Sequence, residues 1–398
     1  MRSAQEHLEQ VLALVQPLEP QPVPLLDALG GVAAADIVAE RQLPPFDNSA
    51  MDGYAVLAAD VAGASAQDRV TLPVIGESAA GHPSPVPLAP GTAVRIMTGA
   101  PVPPGADAVV AQERVGTGSE GVTLDAPIQQ GTNIRRAGED AQPGDLLIPA
   151  GTVLRPRHLA AVASAGIATV LSRPAPTVAF VVTGDELVPP GEPLPPGRIH
   201  ESNATTLAAS LTALGAKPMD MGLIKDDAVA VRQAVATAAE QGAHLIVTTG
   251  GASVGDHDPV KEALAGLGVE FLNVAIQPGK PQGLGVVDGV PVICLPGNPV
   301  AVAVCVELFV APAVRALCGV PEPGWEAVVA GEDWSCPPGR EQIMPVVFAE
   351  GQVRRATSGG SGSHLVARLA AADGLARVPA HVDAVRAGDT LTFRRFTA

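Results

Sequence analysis

Two adjacent glycines and two carboxylates share one loop of the sequence, TTGGASVGDHDPV. Gly250 and Gly251 leave room for a phosphate beside backbone N–H groups, and Ser253 can donate a further hydrogen bond. Asp256 and Asp258 can hold Mg²⁺, which takes oxygen ligands and usually bridges to a substrate phosphate. The loop therefore indicates a phosphate and metal site, although a plain turn followed by an aspartate helix cap explains the same residues.

Three other short loops present polar residues after apolar segments. TGDE contains Glu186, whose carboxylate is suited to a metal or a ligand hydroxyl, and QPGKPQG holds Lys280, one of only four lysines, between Gly and Pro. A lysine fixed in this way is predicted to contact a phosphate or another oxyanion. In LPGNP, Asn298 and Pro299 begin a helix, whose N-terminus attracts anions. The alternatives are a solvated loop for TGDE and ordinary helix capping for LPGNP.

The composition excludes several classes of protein. With 398 residues, of which 47 % are apolar, the chain is long enough for two to four domains with substantial cores. Its formal net charge of −16 argues against binding to nucleic acid. The sequence has no uninterrupted apolar run of about 18 residues and no signal-peptide pattern, so we expect no membrane span. Four cysteines without a CxxC pair predict a cytoplasmic protein that has neither disulfides nor structural zinc.

These loops need elements that bring them together, and residues 173–318 provide the clearest pattern. Short apolar strands alternate there with helices, and the region ends in a hairpin around Asp288-Gly289 and a long apolar helix. Such alternation predicts an α/β domain with a doubly wound, mostly parallel sheet. Because ligands bind beyond the carboxyl ends of the strands in such sheets, the TGDE, TTGG and PGNP loops are expected to converge.

The remaining segments have different patterns. An amphipathic helix is predicted over residues 3–17, and a second helix, broken at a Gly-Gly pair, over residues 24–39. Between about residues 57 and 150, short apolar runs alternate with Gly and Pro clusters, which predicts a β-rich module. A helix and a short strand are predicted over residues 155–172. The tail from about residue 320 has a β pattern and is predicted to form a small barrel.

Taken together, the loops resemble one known family. The segments that carry the resemblance are, in chain order, LPPFDNSAMDGYAV, RIMTGAPVP, RAGED, TGDEL, IHESNA, TTGGASVGDHD, PGKP and LPGNP. In this order and spacing they resemble the molybdopterin molybdenumtransferases, the MoeA family that includes the E domain of gephyrin. Each segment is weakly specific alone, but the set is highly specific and spans nearly the whole chain.

The resemblance implies four domains and an elongated homodimer. The expected domains are a helical linker and dimerisation domain, a β-rich second domain, an α/β domain similar to the molybdopterin adenylyltransferases, and a C-terminal β-barrel. They are expected to span residues 1–42 with 141–172, 43–140, 173–318 and 319–398, respectively. In such a dimer the active site lies between the α/β domain of one subunit and the β-rich domain of the other.

The resemblance also implies a reaction. Adenylylated molybdopterin and molybdate would give molybdenum cofactor and AMP, with Mg²⁺ as the cofactor, and a molybdopterin adenylyltransferase would be a transient partner. Two alternatives stay open, namely adenylyltransferase activity and a non-catalytic scaffold of the gephyrin kind. An adenylyltransferase is a single sheet domain and needs none of residues 1–170, whereas a scaffold does not require the acidic residues that this chain retains.

The family's functional positions transfer to this chain residue by residue. The implied catalytic residues are Asp52, Asp140, Glu186 and Asp258. Metal binding is implied at Glu186, at Asp258 and at Asp226 or Asp227, of which Asp227 is chosen here. The predicted substrate contacts include the loop residues described above. They are Thr98, Gly250, Gly251, Ser253, Lys280, Pro296, Asn298, Pro299, Arg340 and Ser363.

The chain departs from the family pattern near the predicted anion site. The family often has a lysine just before PGKP, where this chain has Gln277, and a basic residue at the position of Asn273. Recruitment of molybdate and phosphate is therefore expected to rest more on Lys280 and Arg340.

Overall fold

A computed structural model of the protein describes residues 1–250, 258–357 and 366–396. The first 173 residues contain α1 (Ala4–Leu14), β1 (Gln21–Pro24), β2 (Val32–Ala33), β3 (Ile37–Val38), β4 (Asn48–Ser49), β5 (Gly53–Val56), β6 (Val70–Leu72), β7 (Val74–Ser78), β8 (Ala93–Ile96), β9 (Ala108–Ala111), β10 (Gly116–Gly118), β11 (Gly121–Leu124), β12 (Ile134–Arg135), β13 (Leu146–Ile148), α2 (Pro156–Ser164) and β14 (Thr169–Arg173). The helices predicted from residue 3 and from residue 155 are thus both present.

The helix predicted over residues 24–39 is wrong. That segment instead forms β1, a 3-10 turn at Leu26–Ala28, β2 and β3. The two short strands β1 and β2 pair with β14, and β3 pairs with β13, so their backbone groups bond to distant parts of the chain. Gly31 has no room for a side chain, because a Cβ there would lie 2.6 Å from the hydroxyl of Ser172. Tertiary pairing has overridden a helical pattern of apolar residues.

The β-rich module predicted after this segment is confirmed. It contains a four-stranded sheet in the order β7-β8-β5-β9 and a three-stranded sheet in the order β10-β11-β6. Its core is formed by apolar residues that these strands bury, including Val56, Leu72 and Val110. A further pair, β4 with β12, holds the DNSA segment beside residues 134–135.

The central region has the predicted α/β architecture. Its elements are β15 (Thr177–Thr183), β16 (Leu187–Val188), β17 (Ile199–His200), α3 (Asn203–Ala213), β18 (Lys217–Ile224), α4 (Ala228–Glu240), β19 (Leu245–Thr249), α5 (Pro259–Leu264), β20 (Glu270–Asn273), β21 (Ile276–Gln277), β22 (Pro281–Val287), β23 (Val290–Leu295), α6 (Pro299–Cys305) and α7 (Ala311–Cys318). The sheet order is β18-β15-β19-β23-β22-β20, and the first four strands are parallel. Strand β22 is antiparallel to both of its neighbours, β23 and β20. Strands β22 and β23 form the predicted hairpin.

Both faces of this sheet are covered, as a doubly wound domain requires. Alternate residues of β15 enter different cores, with Phe180 on the side of α3, α6 and α7 and Val181 on the side of α4 and α5. Helices α6 and α7 are joined by a π-helical turn, Val306–Val310, into one helix, Pro299–Cys318. This helix is long and apolar enough to cross a membrane, but 89 % of its most apolar stretch is buried inside the protein. It is therefore the core helix of the domain.

The C-terminal region forms the predicted small barrel. Its elements are β24 (Glu326–Ala330), β25 (Trp334–Ser335), β26 (Glu341–Ala349), β27 (Gln352–Arg355), α8 (Val366–Leu369), β28 (Gly374–Val378), β29 (Ala384–Val385) and β30 (Thr390–Arg395). Strands β26, β27, β24, β30 and β28 close into a ring, because β28 pairs with both β30 and β26. Strand β21 of the central region pairs in parallel with β26, which joins the barrel to the α/β domain.

Candidate active site

A cavity of about 860 Å³ lies at the carboxyl edge of the central sheet. The loops that follow β15, β18, β19 and β23 contribute to its lining, as does the loop before the antiparallel strand β22. The predicted site residues that line it are Glu186, Gly250, Asp258, Lys280, Pro296, Asn298, Pro299 and Arg340. The expected convergence of the TGDE, TTGG and PGNP loops is thus what the fold produces.

The strand order gives the cavity a gradient of charge. Asp226 follows the edge strand β18, and Glu186 follows its neighbour β15. These two loops are tied by the N–H of Asp185, which donates to Asp226 Oδ2 at 3.1 Å. Lys280 precedes β22, which lies three strands away from β15 in the order β15-β19-β23-β22. The carboxylates of Glu186 and Asp226 therefore occupy one end of the sheet edge and Lys280 the other, with Asp258 between them after β19.

Two glycines allow the central loops to approach closely. Gly250 has a φ of +88°, and a Cβ there would lie 2.4 Å from the carbonyl oxygen of Thr183. Gly297 lies against it, since a Cβ on Gly297 would be 3.1 Å from the Cα of Gly250. Three loops therefore meet backbone to backbone, which leaves no space between them for a side chain. The sequence prediction included Gly250 but missed Gly297, although the PGNP motif contains it.

The two aspartates that were predicted to bind metal outside the TGDE loop both cap helices. Asp258 Oδ1 accepts a hydrogen bond from the N–H of Lys261 at 3.0 Å at the start of α5, and its side chain is buried in the cavity wall. Asp227 Oδ1 accepts from the N–H of Ala230 at 2.7 Å at the start of α4. Asp227 does not line the cavity, whereas Asp226 does. Of the two acids of the KDD motif, only Asp226 thus lines the cavity, and the metal-binding role predicted for Asp227 stays a prediction.

The buried side-chain amide of Gln282 stabilises the lysine loop, residues 277–283, which holds Lys280. Gln282 Nε2 donates to the carbonyl oxygen of Gly279 at 2.7 Å and to the thiol sulfur of Cys305 at 3.0 Å. Gln282 is almost completely buried, so it fixes the backbone just before Lys280. Gln277, which stands where the family often has lysine, also lines the cavity.

Arg340 reaches the cavity from the barrel rather than from the sheet. The next residue, Glu341, is in register with Ile276 where β26 pairs with β21. The pairing holds the start of β26 beside the lysine loop, so Arg340 adds a second cationic side chain near Lys280. The position of Arg340 therefore depends on the contact between the C-terminal barrel and the α/β domain.

Two helices that begin at the cavity, α3 and α6, have N-cap residues whose side chains make no capping hydrogen bond. Ser202 occupies the N-cap position of α3, but its side chain makes no capping hydrogen bond. Glu201 takes that role, because its Oε1 accepts from the backbone N–H groups of Asn203 and Ala204. Asn298 likewise occupies the N-cap of α6 without a side-chain capping bond. Glu201 and Asn203 both line the cavity and were not predicted as site residues.

The predicted residues of the β-rich module lie elsewhere on the chain. Asp52 Oδ1 accepts hydrogen bonds from the backbone N–H and the hydroxyl of Thr98, both at 2.7 Å. These bonds, the backbone N–H bond most strongly, hold the pKa of Asp52 below its usual value. Asp140 lines a separate cavity of about 530 Å³ with Arg135 and Glu139. None of Asp52, Thr98 and Asp140 lines the large cavity of the same chain. Gly251, Ser253, Asp256 and Ser363 lie outside the described residues.

The acids present fit a metal that is completed by substrate. Across residues 1–250, 258–357 and 366–396, no group of three or more His, Cys, Asp or Glu side chains is placed to hold a metal ion. Mg²⁺ usually binds through one or two carboxylates, several waters and substrate phosphates. Glu186 and Asp226, on two loops tied to each other, supply such a pair.

The thiols near the site are not suited to nucleophilic catalysis. Cys294 and Cys305 are completely buried, and burial raises the pKa of each thiol to about 12. A thiol with such a pKa is protonated at neutral pH and is a poor nucleophile. All four cysteines of the chain are free.

The fold and the cavity define a multidomain α/β protein whose central sheet has a large cavity at its carboxyl edge. Family models match in three places: the MoeA N-terminal region (domain I and II) at residues 2–166, a probable molybdopterin binding domain at 179–316, and the MoeA C-terminal region (domain IV) at 327–396. The chain is 40 % identical to molybdopterin molybdenumtransferase 2 of Mycobacterium tuberculosis, with 98 % of each chain covered.

Other relatives agree. The chain is 35 % identical to the molybdopterin molybdenumtransferase of Haemophilus influenzae, with 96 % of this chain and 95 % of that one covered. A molybdopterin biosynthesis MoeA protein from Pyrococcus horikoshii superposes with a TM-score of 0.79 at 32 % identity, covering 99 % and 98 % of the two chains. The chain therefore belongs to the molybdopterin molybdenumtransferase family, which confirms the resemblance found in the sequence. The domain boundaries and the roles of single residues stay predictions.

Proposed function

We propose that the protein is a transferase that inserts molybdate into adenylylated molybdopterin, forming molybdenum cofactor and releasing AMP. Its membership of the molybdopterin molybdenumtransferases supports this reaction. The observation that carries the proposal is the cavity at the sheet edge, which combines carboxylates at one end with Lys280 and Arg340 at the other. A substrate with a phosphate linkage and a second, oxyanionic substrate both require cationic contacts in a chain whose net charge is −16.

The residues of the cavity divide the work by charge. Lys280 and Arg340 would hold molybdate or phosphate, assisted by the N-terminus of α6, where Ala301 in the first turn lines the cavity. Glu186 and Asp226 would hold Mg²⁺, with Asp258 close by in the same cavity wall. When bound, Mg²⁺ would neutralise charge on the pyrophosphate-like linkage and polarise it for cleavage.

A homodimer would complete this site. Asp52, Thr98 and Asp140 are family positions that do not line the cavity of their own chain, so the proposed site takes them from the β-rich domain of a second subunit. Co-expression of Asp52→Asn and Glu186→Gln chains with different tags tests this arrangement. The purified mixed dimer should regain activity that neither pure variant dimer has, because one of its two sites is intact. A mixed dimer as inactive as its parents would contradict a shared site.

The proposed setting is the cytoplasm, where free thiols persist and the four cysteines would stay reduced. A molybdopterin adenylyltransferase is the proposed source of the substrate and would contact this protein only transiently. The acidic charge gives no support for nucleic acid as a partner.

The experiment that tests the function mixes purified protein, adenylylated molybdopterin, Mg²⁺ and molybdate, and measures AMP by chromatography. AMP release that depends on molybdate supports the proposal, and the same mixture without molybdate is the control. Consumption of ATP and molybdopterin to form adenylylated molybdopterin would support adenylyltransferase activity instead. A stable protein client recovered from cells, together with no AMP release, would support a scaffold.

A further inference from the structure

Residues 273–275 join two sheets and are hydrogen-bonded to the lysine loop. They connect the end of β20, in the central sheet, to the start of β21, which pairs with β26 of the barrel. The N–H of Val274 donates to the carbonyl oxygen of Lys280 at 2.8 Å, and Asn273 is in register with Pro281. Val274 is completely buried. This segment therefore fixes the backbone of Lys280.

Arg2 holds the same segment through two backbone hydrogen bonds. The N–H of Arg2 donates to the carbonyl oxygen of Asn273 at 3.0 Å, and the N–H of Ala275 donates to the carbonyl oxygen of Arg2 at 2.8 Å. The two bonds form a parallel bridge between Arg2 and Val274. Strand β20 is the last strand of the central sheet, so the bridge supplies hydrogen-bond partners on its free edge.

Arg2 is itself fixed from two directions. The next residue, Ser3, caps α1, and buried residues of that helix, including Val11, belong to the same apolar core as Val274. The side chain of Arg2 lies along β20, where Nη2 is 2.8 Å from Glu270 Oε2. The bridge therefore ties a helix anchored in the core to the segment that holds the carbonyl of Lys280.

We propose that Arg2 is a positioning residue, whose backbone bridge keeps residues 273–275 in place and so orients Lys280 toward an oxyanion in the cavity. Lys280 lines the cavity and Arg2 does not, so Arg2 acts through the lysine. A lysine has a long, flexible stem, and a fixed backbone lowers the conformational entropy lost when its ammonium group binds an anion. The proposal rests on the proposed function, in which Lys280 binds molybdate or phosphate.

Equilibrium binding of inorganic pyrophosphate to the full-length protein tests this proposal without use of the reaction. Calorimetry compares the parent, Arg2→Pro, Lys280→Ala and the double variant, each with a purification tag ahead of Met1. Proline at position 2 removes the N–H that bonds to Asn273. We expect Arg2→Pro to weaken pyrophosphate binding about tenfold, the affinity that corresponds to one lost hydrogen bond. In Lys280→Ala it should change the affinity less than about twofold, because the lysine through which it acts is absent.

Two further variants separate the bridge from the side chain and from the fold. Arg2→Ala keeps both backbone bonds and loses the contact with Glu270, whose side chain is 63 % exposed, so this control should bind pyrophosphate as the parent does. Ala275→Pro removes the donor of the second bond and should weaken binding as Arg2→Pro does. Thermal unfolding checks each fold, and Ala275→Pro decides the question if Arg2→Pro does not fold.

Three results for the variants would overturn the proposal. They are parent-like binding by the folded proline variants, an equal loss in Arg2→Ala, and a loss in Arg2→Pro that is as large without Lys280 as with it. A parent that does not bind pyrophosphate, or binds it as well after Lys280→Ala, would also overturn it. Molybdate-dependent AMP release by the parent would in each case leave the proposed function intact.

Discussion

Asp258 and Asp227 are matched helix caps that differ in their relation to the cavity. Each accepts a hydrogen bond from the backbone N–H three residues later, at 3.0 Å and 2.7 Å respectively, but only Asp258 lines the cavity. Asparagine caps helices about as well as aspartate does, so Asp→Asn keeps the cap in both cases. At the exposed Asp227 it removes mainly the attraction between the carboxylate and the helix dipole, about 0.3–1 kcal/mol, whereas the carboxylate of Asp258 is buried and has further interactions.

The two substitutions should therefore both leave a folded protein and differ in their effects on activity. We expect Asp227→Asn to lower the unfolding midpoint by no more than about 4 °C, given roughly 2–4 °C per kcal/mol for a domain of this size. Molybdate-dependent AMP release should fall by about 100-fold or more in Asp258→Asn, which is the lower range for loss of a catalytic group. It should stay near the parent value in Asp227→Asn.

The assay is AMP release measured beside thermal unfolding, with Asp226→Asn as a third variant. Because Asp226 lines the cavity, its variant should lose activity as Asp258→Asn does. Equal activity losses in Asp227→Asn and Asp258→Asn would refute the reasoning, since the cap would then be the shared cause. Full activity in Asp258→Asn would remove that residue from the reaction.

Three further predictions follow from single contacts. Gly250→Ala should destabilise the protein by about 2–5 kcal/mol, because a left-handed backbone and a 2.4 Å clash both oppose the added methyl group. Gly297→Ala should destabilise it by only about 1 kcal/mol. A higher unfolding midpoint for Gly250→Ala than for Gly297→Ala would contradict this. Gln282→Met should raise the KM for molybdate more than it lowers kcat, because the carbonyl of Gly279 loses its amide donor and the loop that holds Lys280 is no longer fixed. An unchanged KM would show that Gln282 does not position Lys280. Burial lowers the pKa of His7 to about 4 from a usual value near 6.5, so the unfolded chain binds an extra proton between these values. The free energy of unfolding should therefore fall by up to about 3 kcal/mol as the pH is lowered from 6.5 to 4. Urea unfolding of His7→Phe should show no such fall between these pH values. Identical pH profiles for the parent and the variant would contradict this role of His7.

The sheet and its ligand edge could be predicted because their signals are local. Strands β15, β19 and β23 are apolar runs that end in glycine or a polar turn, and parallel strands carry their ligand loops at one edge. This rule predicts the positions of Glu186 and Pro299, whereas Lys280 is predicted from its place between Gly279 and Pro281. The barrel was predictable from short strands and turns in the same manner.

The parts that were not predicted depend on partners distant in sequence. Residues 24–39 have helical periodicity, but β14, more than a hundred residues later, pairs with β2 inside that segment and with β1, which ends at Pro24. Asp227 is the N-cap residue of α4, whereas its neighbour Asp226 lines the cavity. The sequence does not show at which of these two aspartates the helix begins. Asn203 was not predicted as a site residue, because its contact with Gly297 appears only when β23 is placed.

The most direct test of the whole account is the stoichiometry of a single turnover. Excess protein is mixed with adenylylated molybdopterin, Mg²⁺ and a limiting amount of molybdate, and AMP is compared with molybdenum that elutes bound to the pterin. The account predicts equal amounts of the two products, and neither product in a Glu186→Gln variant that unfolds at the parent temperature. AMP released in full without molybdate, or molybdenum bound to the pterin without AMP release, would contradict it.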